Sequence, residues 1–150
     1  MHCDVKPQNV LIGMDGSCKL SDFGSCTRVA EAAAEPDCFT IRGTPLYMSP
    51  EVTLGNPPVL VSDIWSFGIT VFELLMGRTP WDLTTPSQEY NIHRLMNNDT
   101  AFMQFACKGL IEPRIDELNE PARSFVGACL QKDPQRRPTT ADLLIHPFFL

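Results

Sequence analysis

Met1-His2-Cys3-Asp4-Val5-Lys6-Pro7-Gln8-Asn9 is the stretch that decides how this chain is read. An Asp, a Lys two residues on and an Asn three beyond that put an anion, a cation and an amide on one short loop. Phosphoryl transfer asks for that set: a carboxylate to orient a hydroxyl, an ammonium to meet phosphate charge and an oxygen ligand for Mg²⁺. A second Mg²⁺ candidate follows in Asp22-Phe23-Gly24. Between them lie two strand-like runs, Val10-Leu11-Ile12 and Cys18-Lys19-Leu20. They are joined by Met14-Asp15-Gly16-Ser17, whose Asp-Gly pair favours a tight hairpin turn. Such a hairpin sets Asn9 and Asp22 side by side at its outer ends. Taken singly, each is ordinary turn chemistry; taken with Asp4, Lys6 and the Phe23-Gly24 pair, the functional reading prevails.

Outward from there, residues 22–51 show little periodicity, which in a compact domain marks a functional or disordered loop. The small-residue patch Ala30-Glu31-Ala32-Ala33-Ala34-Glu35 within it reads as a helical turn or a mobile tract. The strongest helix is Ser62-Asp63-Ile64-Trp65-Ser66-Phe67-Gly68-Ile69-Thr70-Val71-Phe72-Glu73-Leu74-Leu75-Met76, apolar almost all the way round and therefore central and buried. Gly77 suits its C-terminal cap, Pro80 prevents continuation, and Asp63 suits an N-cap. Thr85-Pro86-Ser87-Gln88 reads as a capping box opening a helix through Tyr90, Ile92, Leu95 and Met96, with His93 an ordinary surface or core histidine. A third helix is expected after Asn119, with Phe125, Val126, Cys129 and Leu130 on one face. Thr139 or Thr140 caps a last short helix through Leu143 and Leu144, stopped at Pro147.

Composition bounds the rest. A chain of 150 residues fits one domain, and 43% hydrophobic with 20% charged residues excludes general disorder. A net charge of −6 argues against nucleic acid or an anionic membrane as partner. No apolar run is long enough to span a bilayer, and no charged-then-apolar leader pattern occurs, so a cytoplasmic location is expected. The six cysteines form no CxxC pair and have no histidine at zinc spacing, which points to free thiols in a reducing compartment. Cys18, Cys107 and Cys129 sit among apolar residues and are expected in the core.

Five motifs occur in an order that resembles the eukaryotic protein kinases. They are the opening loop, Asp22-Phe23-Gly24, Gly43-Thr44-Pro45-Leu46-Tyr47-Met48-Ser49-Pro50-Glu51, Asp63-Ile64-Trp65-Ser66-Phe67-Gly68 and Arg137-Pro138. The resemblance covers essentially residues 1–150 and only the C-terminal lobe of that catalytic domain. It implies a mainly α fold with a small β-hairpin at the catalytic edge. Lys6-Pro7 and Thr44 resemble the serine/threonine branch. Gly43-Thr44-Pro45 with Gly77-Arg78-Thr79-Pro80-Trp81 is similar to kinases of mitogen-activated cascades and their sterile-type relatives.

By that resemblance, Asp4 orients the substrate hydroxyl and accepts its proton late, and Lys6 neutralises γ-phosphate charge. Asn9 and Asp22 hold Mg²⁺ for ATP, and Thr44 bridges Asp4 and Lys6 beside a protein substrate's acceptor Ser or Thr. Glu51 is expected to pair with Arg137 in the interior, and Asp63 to hold the backbone of the opening loop. Thr40, four residues before Thr44, is expected at a phosphorylation position.

The chain departs from the family pattern in three places. Ser49 stands where Ala is commoner. Cys3 stands where an Arg usually receives the activation-loop phosphate, so control by loop phosphorylation at Thr40 is expected to matter less. The glycine-rich loop, strand Lys, partner Glu and adenine hinge of the N-terminal lobe are not in this sequence, nor is the helix that would precede His2. The expectation is a piece of a full kinase, neither efficient nor stable alone, whose exposed apolar side is covered by the missing lobe or a partner protein. Two other readings stay open: a catalytically inactive kinase-like interaction module, and an Mg²⁺-dependent phosphohydrolase, which leaves unexplained Arg137 and the stretch from Gly43 to Glu51 that resembles a kinase substrate-docking loop.

Overall fold

The computed structural model describes residues 1–29, 43–81 and 113–149. The patch 30–35, Thr40, Cys38, Cys107 and the helix expected from Thr85, with His93, lie outside the described residues. Strands β1 (Val10–Ile12) and β2 (Cys18–Leu20) pair antiparallel in the register Val10 with Leu20. The turn between them closes through Gly13 N–H to Ser17 O at 2.8 Å and Gly16 N–H to Gly13 O at 2.9 Å. Gly16 sits at φ +80°, the left-handed conformation that an Asp-Gly turn requires.

Among the described residues four α-helices follow: α1 (Pro50–Thr53), α2 (Ser62–Met76), α3 (Ala122–Cys129) and α4 (Thr140–Leu144). Together with the two-stranded sheet they make the described residues mainly α, as expected. Helix α2 has the bounds its apolar pattern predicts, and Gly77 ends it at φ +71°, its N–H bonding Glu73 O at 2.8 Å. Ile69 and Phe72 are wholly buried, whereas Leu74 and Leu75 in the last turn are exposed. The helix is thus the central post for its first three turns only.

Helix α3 lies against α2 with the predicted face inward, Phe125, Val126 and Cys129 each at 0% exposure. Gly68 permits this closeness, since a Cβ there would stand 2.6 Å from the Cys129 Cβ. Phe125 also gathers Phe67, His146, Phe148 and Phe149 about its ring, tying the chain's last turns to the core. Thr139 rather than Thr140 caps α4, in a capping box with Asp142.

Two sequence expectations fail here. Cys18 is exposed, because β2 belongs to a two-stranded hairpin and shows its strand faces to solvent. Cys129 is buried as expected, and burial pushes its thiol up to about 12. Nor does Asp63 N-cap α2. That position belongs to Val61, leaving the Asp63 carboxylate, in the first turn, available for another purpose. Among the described residues, no helix is long and apolar enough to cross a membrane.

Candidate active site

The loop before β1 is held from below by Asp63. Its two carboxylate oxygens accept the backbone N–H groups of His2 at 2.7 Å and Cys3 at 2.8 Å. Cys3 adopts φ +63°, and Gly43 packs onto its carbonyl so closely that a Cβ at Gly43 would lie 2.3 Å from Cys3 O. Glycine at φ +110° is therefore required where the segment 43–51 meets the loop. Burial first, and then the Asp63 charge, raise the Cys3 thiol, so the side chain stays neutral where an Arg would bring a cation.

Asp4, 7% exposed, is the hub. Its Oδ1 accepts Thr44 N–H at 2.9 Å and Thr44 Oγ1–H at 2.8 Å. Its Oδ2 meets Lys6 Nζ at 2.9 Å and Asn9 Nδ2 at 3.2 Å. Lys6 Nζ also donates to Thr44 Oγ1 at 2.6 Å, so Thr44 bridges Asp4 and Lys6. Burial pushes the Asp4 carboxyl up. The hydrogen bonds from Lys6 and Thr44, the Lys6 charge and Asn9 together outweigh it and hold the group below its ordinary value. The carboxylate is thereby fixed in one orientation and kept ionised.

Asn9 donates its amide nitrogen to Asp4 O at 2.8 Å as well as to Oδ2, which leaves the amide oxygen as the side-chain atom not engaged by Asp4. Ser21 binds Asn9 O through both its N–H at 2.9 Å and its hydroxyl at 3.1 Å. Asp22, the next residue, therefore stands at the outer end of the hairpin beside Asn9. Its backbone is left-handed at φ +59°, and its exposed carboxylate accepts Gly24 N–H at 3.3 Å. An amide oxygen and a carboxylate are hard oxygen donors, the kind that suits Mg²⁺ when waters and phosphates complete its shell.

Behind this cluster, Arg137 donates to Glu51 through both terminal nitrogens, to Val61 O at 2.9 Å and, through Nε, to Gln131 O at 2.7 Å. Its side chain is wholly buried and lies over the Trp65 ring, 5.5 Å from its centroid. Burial raises the Glu51 carboxyl, but Arg137 and Ser62 hydrogen bonds bring it below its usual value. The segment 43–51 is fastened by Ser66 Oγ–H to Tyr47 O at 2.7 Å and Trp81 Nε1–H to Leu46 O at 3.0 Å.

The structure thus brings Asp4, Lys6, Asn9 and Thr44 into one network, places Asp22 at its edge, and sets Glu51, Asp63 and Arg137 as supports. Sequence reasoning missed two contributors. His2 supplies Nδ1 to Asp4 N–H at 3.3 Å, contacts Ser21 O through Nε2 at 3.0 Å and stands edge-on to Phe23. Tyr47 donates its hydroxyl to Glu73, and burial followed by that acid's hydrogen bond and charge drives its pKa well up. His2 was legible as the residue two before Asp4. The pairing of Tyr47 with Glu73, across 26 residues, carried no sequence signal.

The protein kinase domain model matches residues 1–149, and the chain belongs to the protein kinase family. Among its relatives is mitogen-activated protein kinase kinase kinase 2 of Arabidopsis thaliana, 37% identical over 99% of this chain and 21% of that protein. Mitogen-activated protein kinase kinase kinase ANP1 of the same plant is 38% identical over 100% of this chain and 21% of its own length. MAP kinase kinase kinase wis4 of Schizosaccharomyces pombe is 33% identical over 99% of this chain and 11% of its own. The chain spans about a fifth or less of each of these three relatives.

Proposed function

We propose that this chain is the C-terminal lobe of a serine/threonine protein kinase domain, acting within a longer product to move the γ-phosphate of ATP onto Ser or Thr hydroxyls of a protein substrate. The observation that carries this reading is the Asp4–Lys6–Thr44–Asn9 network. A phosphoryl acceptor needs its hydroxyl positioned more than it needs a strong base. Asp4, ionised and locked by donors on both oxygens, supports that role: it orients the hydroxyl and takes its proton as the new P–O bond forms. Lys6 brings positive charge next to the same carboxylate, where transferred charge would develop. Thr44 ties the docking segment to the catalytic loop, so substrate placement and the reacting groups share one frame. Asn9 and Asp22 would hold Mg²⁺, which with ATP supplies the transferable phosphoryl group and screens its charge. The relatives named as MAP kinase kinase kinases support an upstream position in a phosphorylation cascade, with another kinase as substrate.

One observation favours a second role for part of the surface. A cleft of about 500 Å³ beside the loop is lined by Val5, Val10, Leu20, Ile64, Phe67 and Leu143, and is almost wholly apolar. On the kinase reading, further chain of the same product covers it; on the interaction-module reading, a separate protein does. Asp4→Asn and Asp22→Asn in the full-length protein separate the two. The kinase reading expects each to lower kcat by roughly 10²-fold or more while the protein stays folded. Retained biological function in both variants would move the interaction module to the front.

A further inference from the structure

The Ser49 hydroxyl is the anomaly that the site's chemistry leaves unused. Ser49 is 1% exposed, and among the described residues its Oγ has no hydrogen-bond partner. A buried hydroxyl left in that state carries its full desolvation cost, and such groups in folded proteins are nearly always satisfied. Ser49 lines a cavity of about 20 Å³ shared with Cys3, Met48, Val52, Asp63 and Ser66. That exceeds the roughly 10–15 Å³ one water molecule needs.

We infer that this cavity is a built site for one ordered water, which joins the catalytic loop, the docking segment and helix α2. The hydrogen bonds balance. Ser49 Oγ–H donates to the water oxygen. Ser66 Oγ donates its single proton to Tyr47 O, so its remaining lone pairs accept from the water. The Asp63 oxygens each accept one loop N–H and retain capacity for a second bond. The water thus has one donor and two acceptors, the usual number of partners for a buried solvent molecule. Met48, Val52, Pro58 and Ser62 line the rest of the cavity.

The site needs no catalytic activity, so its test is independent of the kinase reading. The full-length protein is crystallised as wild type and as Ser49→Ala, and both are melted. The expected result is an ordered solvent peak within hydrogen-bond distance of Ser49 Oγ, together with a melting midpoint roughly 2–4 °C lower in the variant, which takes a partner from the water. If the cavity is dry, deleting an orphan hydroxyl relieves a cost. An empty cavity in the wild type, or a variant that melts at or above it, therefore overturns the inference.

Discussion

At the scale of single residues, charge placement decides what each group contributes. Arg137 and Glu51 lie 86 positions apart, yet they form a bidentate pair whose exposed side-chain fractions are 0% and 10%. Burying either charge alone is costly, so Arg137→Ala should lose roughly 3–5 kcal/mol by leaving the Glu51 carboxylate unpaired. Chemical denaturation of the full-length protein checks this; a midpoint unmoved from wild type would contradict the pairing's structural role. The same pair gives a pH dependence with a definite sign. Glu51 and Asp4 titrate below their ordinary values in the fold, so each contributes stability that is present above the unfolded pKa. That stability is lost as pH falls through the folded one. Stability should therefore decline on acidification below the ordinary carboxylate range, and Glu51→Gln should flatten that decline. A parallel pH profile in the variant would refute it. Cys3 and Ser49, two departures from the family pattern, line one small cavity in the fold. Nothing in the sequence places them together, because they are 46 positions apart and meet only over α2.

Elements act through how closely they approach. Helix α2 carries nearly all the apolar weight of its segment, and its prediction from pattern alone succeeded because the signal is long and sustained. The close seam with α3 depends on Gly68. Gly68→Ala would gain about 1 kcal/mol of helix propensity, yet it sets a new Cβ 2.6 Å from the Cys129 Cβ. Overpacking of that kind costs roughly 1–3 kcal/mol in a packed interior, so the expected net effect is a lower melting midpoint. An unchanged or raised midpoint would show that the two helices separate freely. The hairpin is another element that pattern found, with both strands and the turn at the expected residues. Its register was fixed by the Asp-Gly turn, and register alone sets Asp22 beside Asn9. Cys18 misled for the converse reason. A strand flanked by apolar letters need not be buried when only one partner strand is paired with it.

For the molecule as a whole, the unbalanced feature is the apolar cleft beside the opening loop, with Leu11, Ile12 and Leu20 exposed along the hairpin. Apolar surface gathered in this way is normally covered by another part of the molecule or by a partner. The relatives extend far beyond the matched stretch. We expect the native gene product in its own cells to have an intact mass well above 16.8 kDa. A measured mass of 16.8 kDa would instead make a partner protein the cover and favour the interaction module.

Sequence by itself determined the chemistry and the local scaffolding. The spacing of Asp4, Lys6 and Asn9 and the hairpin that returns to Asp22 were legible because they are local: turn geometry and short loops carry their information within a few residues. The central helix was legible because its apolar residues go almost all the way round, and burial follows that pattern over its first three turns. Pairings across long stretches of chain were a different matter. That Glu51 meets Arg137 and that Asp63 grips the opening loop were expected only through family resemblance, never through any pattern in the letters. The Tyr47–Glu73 bond, the need for glycine at positions 43 and 68 and the Ser49 cavity came from the tertiary structure alone. Each depends on how near two backbones come, and that distance is set by the packing of the whole core around α2.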